Sequence, residues 1–273
     1  MDAPRPPASW RDHADRPAAV PVPPGPHDPA FYVPIAEFQG ELYRRNAFAA
    51  HTRVEVDALV ARTGLTAGAT VVDVGCGDGR HLRELAVRGV SGVGVDVSPA
   101  LVDAAEAAAG RERGAWPDGV SVGFVVGDAR RLSEVVGVPR GTADVAWALC
   151  QGAFGTHPET DPAVLAGLAA CVRPGGHVVV TAFHALFAAR HLVPGDAFDP
   201  VHLVHHQTSE VRGADDARRD FDLWTAAYTV RDLVRLCGDL GLEVVAVAGC
   251  EPGWYGDTGV RLDDPELLVV ARR

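Results

Sequence analysis

A chain of 273 residues with 25 Lys and Arg against 36 Asp and Glu carries a formal net charge of −11. A surface that acidic repels phosphate backbones and anionic headgroups, which argues against nucleic-acid and membrane-surface partners. No apolar run approaches the roughly 18 residues of a membrane span, and a 47% hydrophobic share is ample for a substantial core.

Ten of the 20 prolines fall within residues 1–34, among small and charged residues that offer no periodic apolar face. This stretch is read as a flexible arm. It has neither the apolar core of a secretory signal nor the acid-poor composition of a transit peptide, so a cytoplasmic location is expected. Five scattered cysteines with no CxxC pair fit reduced thiols in that compartment better than a disulfide framework or a zinc site, and no metal is expected.

Residues 35–273 are read as one domain. Its first part carries Leu42, Phe48, Val54, Val56, Leu59 and Val60 at helical intervals, which predicts two helices. From residue 70 short β-branched runs alternate with Ala- and Leu-rich segments: TVVDV, SGVGVDV, VSVGFVV, ADVAWAL, GHVVVTAF, LEVVAVAG and PELLVVAR are the predicted strands. RHLRELAVRG, PALVDAAEAAAGR and DPAVLAGLAACVR have helical spacing between them. That alternation predicts an α/β fold with a mostly parallel sheet covered by helices on both faces, and ligands at the carboxyl ends of the strands.

The rhythm breaks once, over residues 184–228. There HLVHHQTSEVR and DFDLWTAAY predict a hairpin around the polar turn GADDAR, placed to form a lid. His205 and His206 are adjacent and point to opposite faces of such a strand, so they do not make a joint metal site. Trp224 and Tyr228 share one face, which suits either an apolar substrate pocket or ordinary core packing.

VVDVGCGDGRHL runs from an apolar strand into a helix start, with Gly75, Gly77 and Gly79 baring the backbone where free N–H groups meet a ligand. The spacing is G-x-G-x-G, where the dinucleotide fingerprint needs G-x-G-x-x-G. The next strand ends in Asp96, placed to accept from two ribose hydroxyls. The third ends in Asp128, placed to accept from an adenine amine.

Through VDVGCGDGRHL, GVGVDVSPALVDAA, FVVGDARRL and RPGGHVVVTAF, the sequence resembles the class I S-adenosylmethionine-dependent methyltransferases over residues 40–273. The resemblance implies a seven-stranded Rossmann-like sheet and S-adenosylmethionine as cofactor, with S-adenosylhomocysteine as product. It also implies roles for named residues: Asp73, Gly75, Cys76, Gly77 and Gly79 at the methionine part, Asp96 with Val97 at the ribose, and Asp128 with Ala129 around the adenine. Leu149, Cys150 and Gln151 would floor the sulfonium. Tyr43, Arg44 and Arg45 are candidates for the methionine carboxylate. Asp78 stands where the family often has Pro or Thr.

Methyl transfer from a sulfonium needs positioning and exclusion of water more than a base. If a base acts, a histidine suits it. The insertion offers His184, His191, His202, His205 and His206, of which His184, just past the fifth strand, is the expected catalytic residue. The fourth strand ends in ALCQGAFG, without the Asn/Asp-Pro-Pro-aromatic signature of adenine and glutamine methylation and without an obvious acidic metal-ligand set of the catechol type. That leaves the O or N of a small organic metabolite, as in natural-product pathways. Two other readings stand beside it: a protein that binds S-adenosylmethionine but catalyses a cyclisation or only binds, and an NAD-dependent oxidoreductase, which Asp128 disfavours.

Overall fold

The computed structural model describes residues 32–45, 51–213, 216–256 and 259–273. Of the expected arm, residues 1–31 lie outside the described part, as do Phe48 and the side chains of Arg44 and Arg45. Tyr32 to Pro34 already enter the first helix, α1 (Val33–Gln39).

The elements follow in chain order as α1, α2 (Thr52–Thr63), β1 (Thr70–Val74), α3 (Arg80–Val87), β2 (Ser91–Asp96), α4 (Pro99–Glu112), β3 (Val122–Val126) and β4 (Ala143–Ala148). After them come α5 (Asp161–Cys171), β5 (Val172–His184), α6 (Ala185–Arg190), β6 (Ala197–Asp199), β7 (Val204–Arg212) and β8 (Arg218–Tyr228). The chain closes with α7 (Val230–Asp239), β9 (Glu243–Glu251), β10 (Trp254–Tyr255) and β11 (Glu266–Arg272). All seven predicted strands are present. The main sheet has the order β10-β9-β11-β5-β4-β1-β2-β3. β3, β2, β1, β4 and β5 run parallel, and β11 is antiparallel to both β5 and β9.

Strand alternation divides the core into two layers. Val72, Val74, Ala146 and Ala148 face a cluster with Leu165 and Leu168 of α5 and Leu233 of α7. Val71, Val145 and Trp147 face the other cluster, with Val56 and Leu59 of α2, Leu82 and Leu85 of α3 and Val102 of α4. A sheet buried on both faces reads as unbroken apolar runs, which is why these strands show little polar alternation in sequence. Helix starts are set locally. Ser98 accepts from the Leu101 amide with Pro99 following it at α4, and Thr229 with Asp232 makes a capping box at α7.

Strand order reverses between β1 and β4, which opens a crevice at their carboxyl ends. The insertion roofs that crevice. β7 and β8 pair antiparallel from Val204↔Ala226 to Arg212↔Arg218, and β8 joins β5 in parallel at Phe183↔Ala227 and His184↔Tyr228. Phe221 of the hairpin packs on Phe38 of α1, with ring centroids 5.7 Å apart.

Candidate active site

A cavity of about 440 Å³ lies in this crevice, bounded by the ends of β1 to β5, by α1 and by the hairpin. Its size falls in the range of about 300–1,000 Å³ usual for small-molecule sites. Of the residues singled out from sequence, Tyr43, Asp73, Gly75, Cys76, Gly77, Asp96, Val97, Asp128, Ala129, Leu149, Cys150 and Gln151 all line it.

The glycine turn is held by its neighbours. The amides of Gly75 and Cys76 donate to the Val95 carbonyl at 2.7 and 3.1 Å, and that of Gly77 donates to Asp96 Oδ2 at 2.8 Å. Gly75 has φ +73°, and a Cβ on it would stand 2.3 Å from the Gly152 carbonyl carbon, so the turns after β1 and β4 touch backbone to backbone. Only glycine permits that approach. Gly79 does not line the cavity: it is the left-handed residue before α3, packed where a Cβ would meet the Phe124 ring at 2.3 Å. Its task is closing the turn against the core.

The acids differ in how they are satisfied. Burial pushes Asp73 up to about 7 against the nearby Arg80 guanidinium and Trp147 indole, and its buried Oδ2 has no hydrogen bond of good geometry among the described residues. Asp96 accepts from Gly77 and, through Oδ1, from the Ser98 amide at 2.9 Å, while burial raises its pKa. Asp128 is clasped by Arg130, whose Nε donates to Oδ1 at 3.0 Å and Nη2 to Oδ2 at 2.7 Å. That pairing lowers its pKa.

At the end of β4 two consecutive side-chain-bearing residues, Cys150 and Gln151, each have φ +53°. Such backbone costs energy and concentrates at functional sites. The Cys150 amide donates to Thr181 Oγ1 at 2.7 Å. Burial pushes the Cys150 thiol up to about 12, so it stays a neutral thiol beside Arg80 Nη2 at 3.3 Å.

Sequence reasoning missed Arg80, Arg130 and Glu55. Arg80 lines the cavity and pairs with Glu55 and with Thr52 Oγ1. Glu55 is fully buried; it also meets His81 Nε2 at 3.0 Å and accepts from the Gly253 amide at 3.0 Å, which fastens α2 beneath the glycine turn. Arg80 was legible by its place directly after Gly79, but nothing local in the sequence marks Glu55.

The insertion corrects one expectation and decides between two readings that stood open. His184 does not line the cavity; it is buried at the strand junction, and its Nδ1 donates to the Asp264 carbonyl at 3.0 Å. The hairpin also turns its odd-numbered face inward: Gln207, Ser209, Val211, Leu223 and Thr225 line the cavity. Trp224 instead packs on His206, centroids 4.8 Å apart. Tyr228 stacks on Phe154 at 5.4 Å and donates to Asp161 Oδ2 at 2.6 Å. The other histidines pair with carboxylates: His191 with Asp263, His202 with Asp199, His205 with Asp196 and His206 with Asp222. Among the described residues no group of three or more metal-ligating side chains gathers.

The family model described as a methyltransferase domain matches residues 71–176, the stretch from β1 to the start of β5 that supplies the glycine turn, Asp96, Asp128 and the β4 end. Over those residues the chain is similar to a methyltransferase domain. Solved methyltransferases share the fold across almost their whole length. The CcbJ methyltransferase from Streptomyces caelestis matches with a TM-score of 0.69 at 18% identity, covering 90% of this chain and 99% of that one. An S-adenosylmethionine-dependent methyltransferase from Clostridium acetobutylicum matches at 0.64 and 12%, covering 85% and 96%. The magnesium protoporphyrin IX methyltransferase from Synechocystis, solved with bound S-adenosylhomocysteine, matches at 0.56 and 18%, covering 88% and 98%. No curated protein matches in sequence. The cavity suits S-adenosylmethionine, the methyl donor of such solved methyltransferases: a buried carboxylate oxygen on Asp73, without a partner among the described residues, and the absence of a side chain at Gly77 offer what an α-ammonium and a close-lying chain require.

Proposed function

We propose that this methyltransferase transfers a methyl group to an O or N atom of a small organic metabolite, in a reducing, cytoplasmic setting and within a natural-product pathway. The observation that carries the reading is the roofed cavity. A cavity of about 440 Å³ that must hold cofactor and acceptor together under the hairpin favours a small molecule over a nucleic-acid strand. The net charge of −11 points the same way. Five free cysteines, four of them buried, accord with a reducing compartment.

In this reading Asp73 holds the methionine ammonium, Asp96 the ribose hydroxyls and Asp128 with Ala129 the adenine. Arg80 and Tyr43 flank the methionine end. When bound, the cofactor supplies a methyl group already activated on a sulfonium. The protein's part is then to orient the acceptor lone pair in line with the methyl carbon and to exclude water. Leu149, Cys150 and Gln151 form the floor for that alignment, and the hairpin closes the top. A proton lost from the acceptor passes to solvent once the methylated product is released, since His184 is turned into the strand junction.

Mass spectrometry of reactions with isotopically labelled methyl donor and a panel of small hydroxy and amino compounds tests the proposal. Label in a small-molecule product is the expected result. Label only in protein or nucleic acid, or its absence from every acceptor while S-adenosylhomocysteine binds, counts against it.

A further inference from the structure

The cavity wall divides by charge. Asp73, Asp78, Arg80, His81, Asp96, Asp128 and Arg130 all come from the ends of β1 to β3, the turn after β3 and the start of α3, the end assigned to the cofactor. The remaining wall comes from α1, the turn after β4, the end of β5 and the hairpin. It presents the hydroxyls and amide of Thr156, Thr160, Gln207, Ser209 and Thr225. Between them lie the apolar side chains of Ile35, Phe183 and Leu223. Among the described residues this part of the lining has no charged side chain.

The hairpin is not poor in charge; it sorts it. Glu210, Arg212, Arg218, Asp220 and Asp222 are all exposed on the outward face, where Glu210 pairs with Arg218 and Arg212 with Asp216. Strand alternation puts Gln207, Ser209 and Val211 on the other face, where Gln207 pairs with Leu223. Arg219 shares the inward parity, but it lies exposed near the hairpin tip, its guanidinium 5.0 Å over the Phe221 ring and off the cavity lining.

Resting on the methyl-transfer reading above, we infer that the acceptor is uncharged over the part it buries, with an apolar face and a hydrogen-bonding edge of hydroxyl or amide type. A carboxylate or phosphate carried into this wall would lose its hydration and meet no compensating cation. A cationic acceptor would stand against the sulfonium with no carboxylate on its own side of the cavity. A neutral amide or hydroxyl exchanges hydrogen bonds with the Thr, Ser and Gln side chains while its carbon skeleton covers Leu223 and Phe183.

Three probes of one shape test this: benzamide, benzoate and benzylammonium, titrated by NMR into protein saturated with S-adenosylhomocysteine. Benzamide is expected to bind about tenfold or more tightly than either ion. Ser209→Arg, which puts a cation on the inward face, is expected to turn the preference toward benzoate while S-adenosylhomocysteine affinity stays within about threefold. Equal or tighter binding of an ion to the unaltered protein, or binding of none of the three, overturns the inference. Failure of the protein to take up S-adenosylhomocysteine at all strikes instead at the methyl-transfer reading.

Discussion

Asp96 acts twice, as the expected ribose acceptor and as the anchor of the glycine turn, because its two oxygens receive the amides of Gly77 and Ser98. Hydrogen bonds to a charged group contribute about 1.5–3 kcal/mol each. Asp96→Ala is therefore expected to weaken S-adenosylhomocysteine binding by about 10- to 100-fold in isothermal titration, and an unchanged affinity would remove Asp96 from the site. Asp73 differs in having a buried oxygen without a partner among the described residues and a pKa near 7. An ammonium binds its ionised form, so cofactor affinity should rise as pH increases from 6 to 8. Asp73→Asn should flatten that rise; a profile that keeps its slope in the variant assigns the titration elsewhere. Gly75→Ala drives a methyl into the Gly152 backbone and is expected to abolish binding, with loss of stability seen in thermal melts.

Between elements, one contact joins the roof to the turn after β4. The Asp161 carboxylate, fully buried at the start of α5, accepts the Tyr228 hydroxyl at 2.6 Å and the Gly155 amide at 3.0 Å. The Ala226 amide donates to the Gly155 carbonyl at 3.0 Å alongside. Tyr228→Phe leaves the buried carboxylate short of a donor, at a cost of about 1–3 kcal/mol. The corresponding fall in Tm is a few degrees, since about 1 kcal/mol moves a domain of this size by about 2–4 °C. Because Tyr228 is remote from the Asp73–Asp96 end, S-adenosylhomocysteine affinity should change less than about threefold; a larger loss would mean that the roof also orders the cofactor end.

At the scale of the molecule, burial sets the pH dependence of stability. Asp73, Asp161 and Glu266 are each raised to about 7 by burial. In the unfolded chain they titrate near 4, so between pH 4 and 7 the folded state binds more protons than the unfolded one. Their contribution is present below pH 4 and lost as pH rises through 7. Glu55 works in the opposite sense: bonded to His81 and Arg80, it is held at about 2 against its own burial, and its contribution is lost as pH falls from about 4.5 toward 2. The cofactor-free protein should melt higher near pH 5 than near pH 8. Saturation with S-adenosylhomocysteine should narrow that gap by satisfying Asp73. Circular dichroism melts at several pH values measure both, and a Tm that climbs steadily from pH 5 to pH 8 would contradict the burial argument.

The strands, the glycine turn and the acids at the ends of β2 and β3 were legible in sequence because their causes are local. β-Branched runs fit a pleated sheet buried on both faces, glycines mark bare turns, and an acid at a strand's carboxyl end faces the ligand crevice of any such fold. Gly79 was legible as part of the motif but not as a core-packing residue, because its neighbour Phe124 lies 45 positions away in sequence. Only the tertiary structure decided the inward face of the hairpin, since β7 and β8 carry polar and apolar residues on both sides and their register on β5 fixes which side meets the cavity. It also turned His184 toward the Asp264 carbonyl and brought Glu55 beneath Arg80. Such contacts join segments far apart in the chain, and no pattern confined to one segment encodes them.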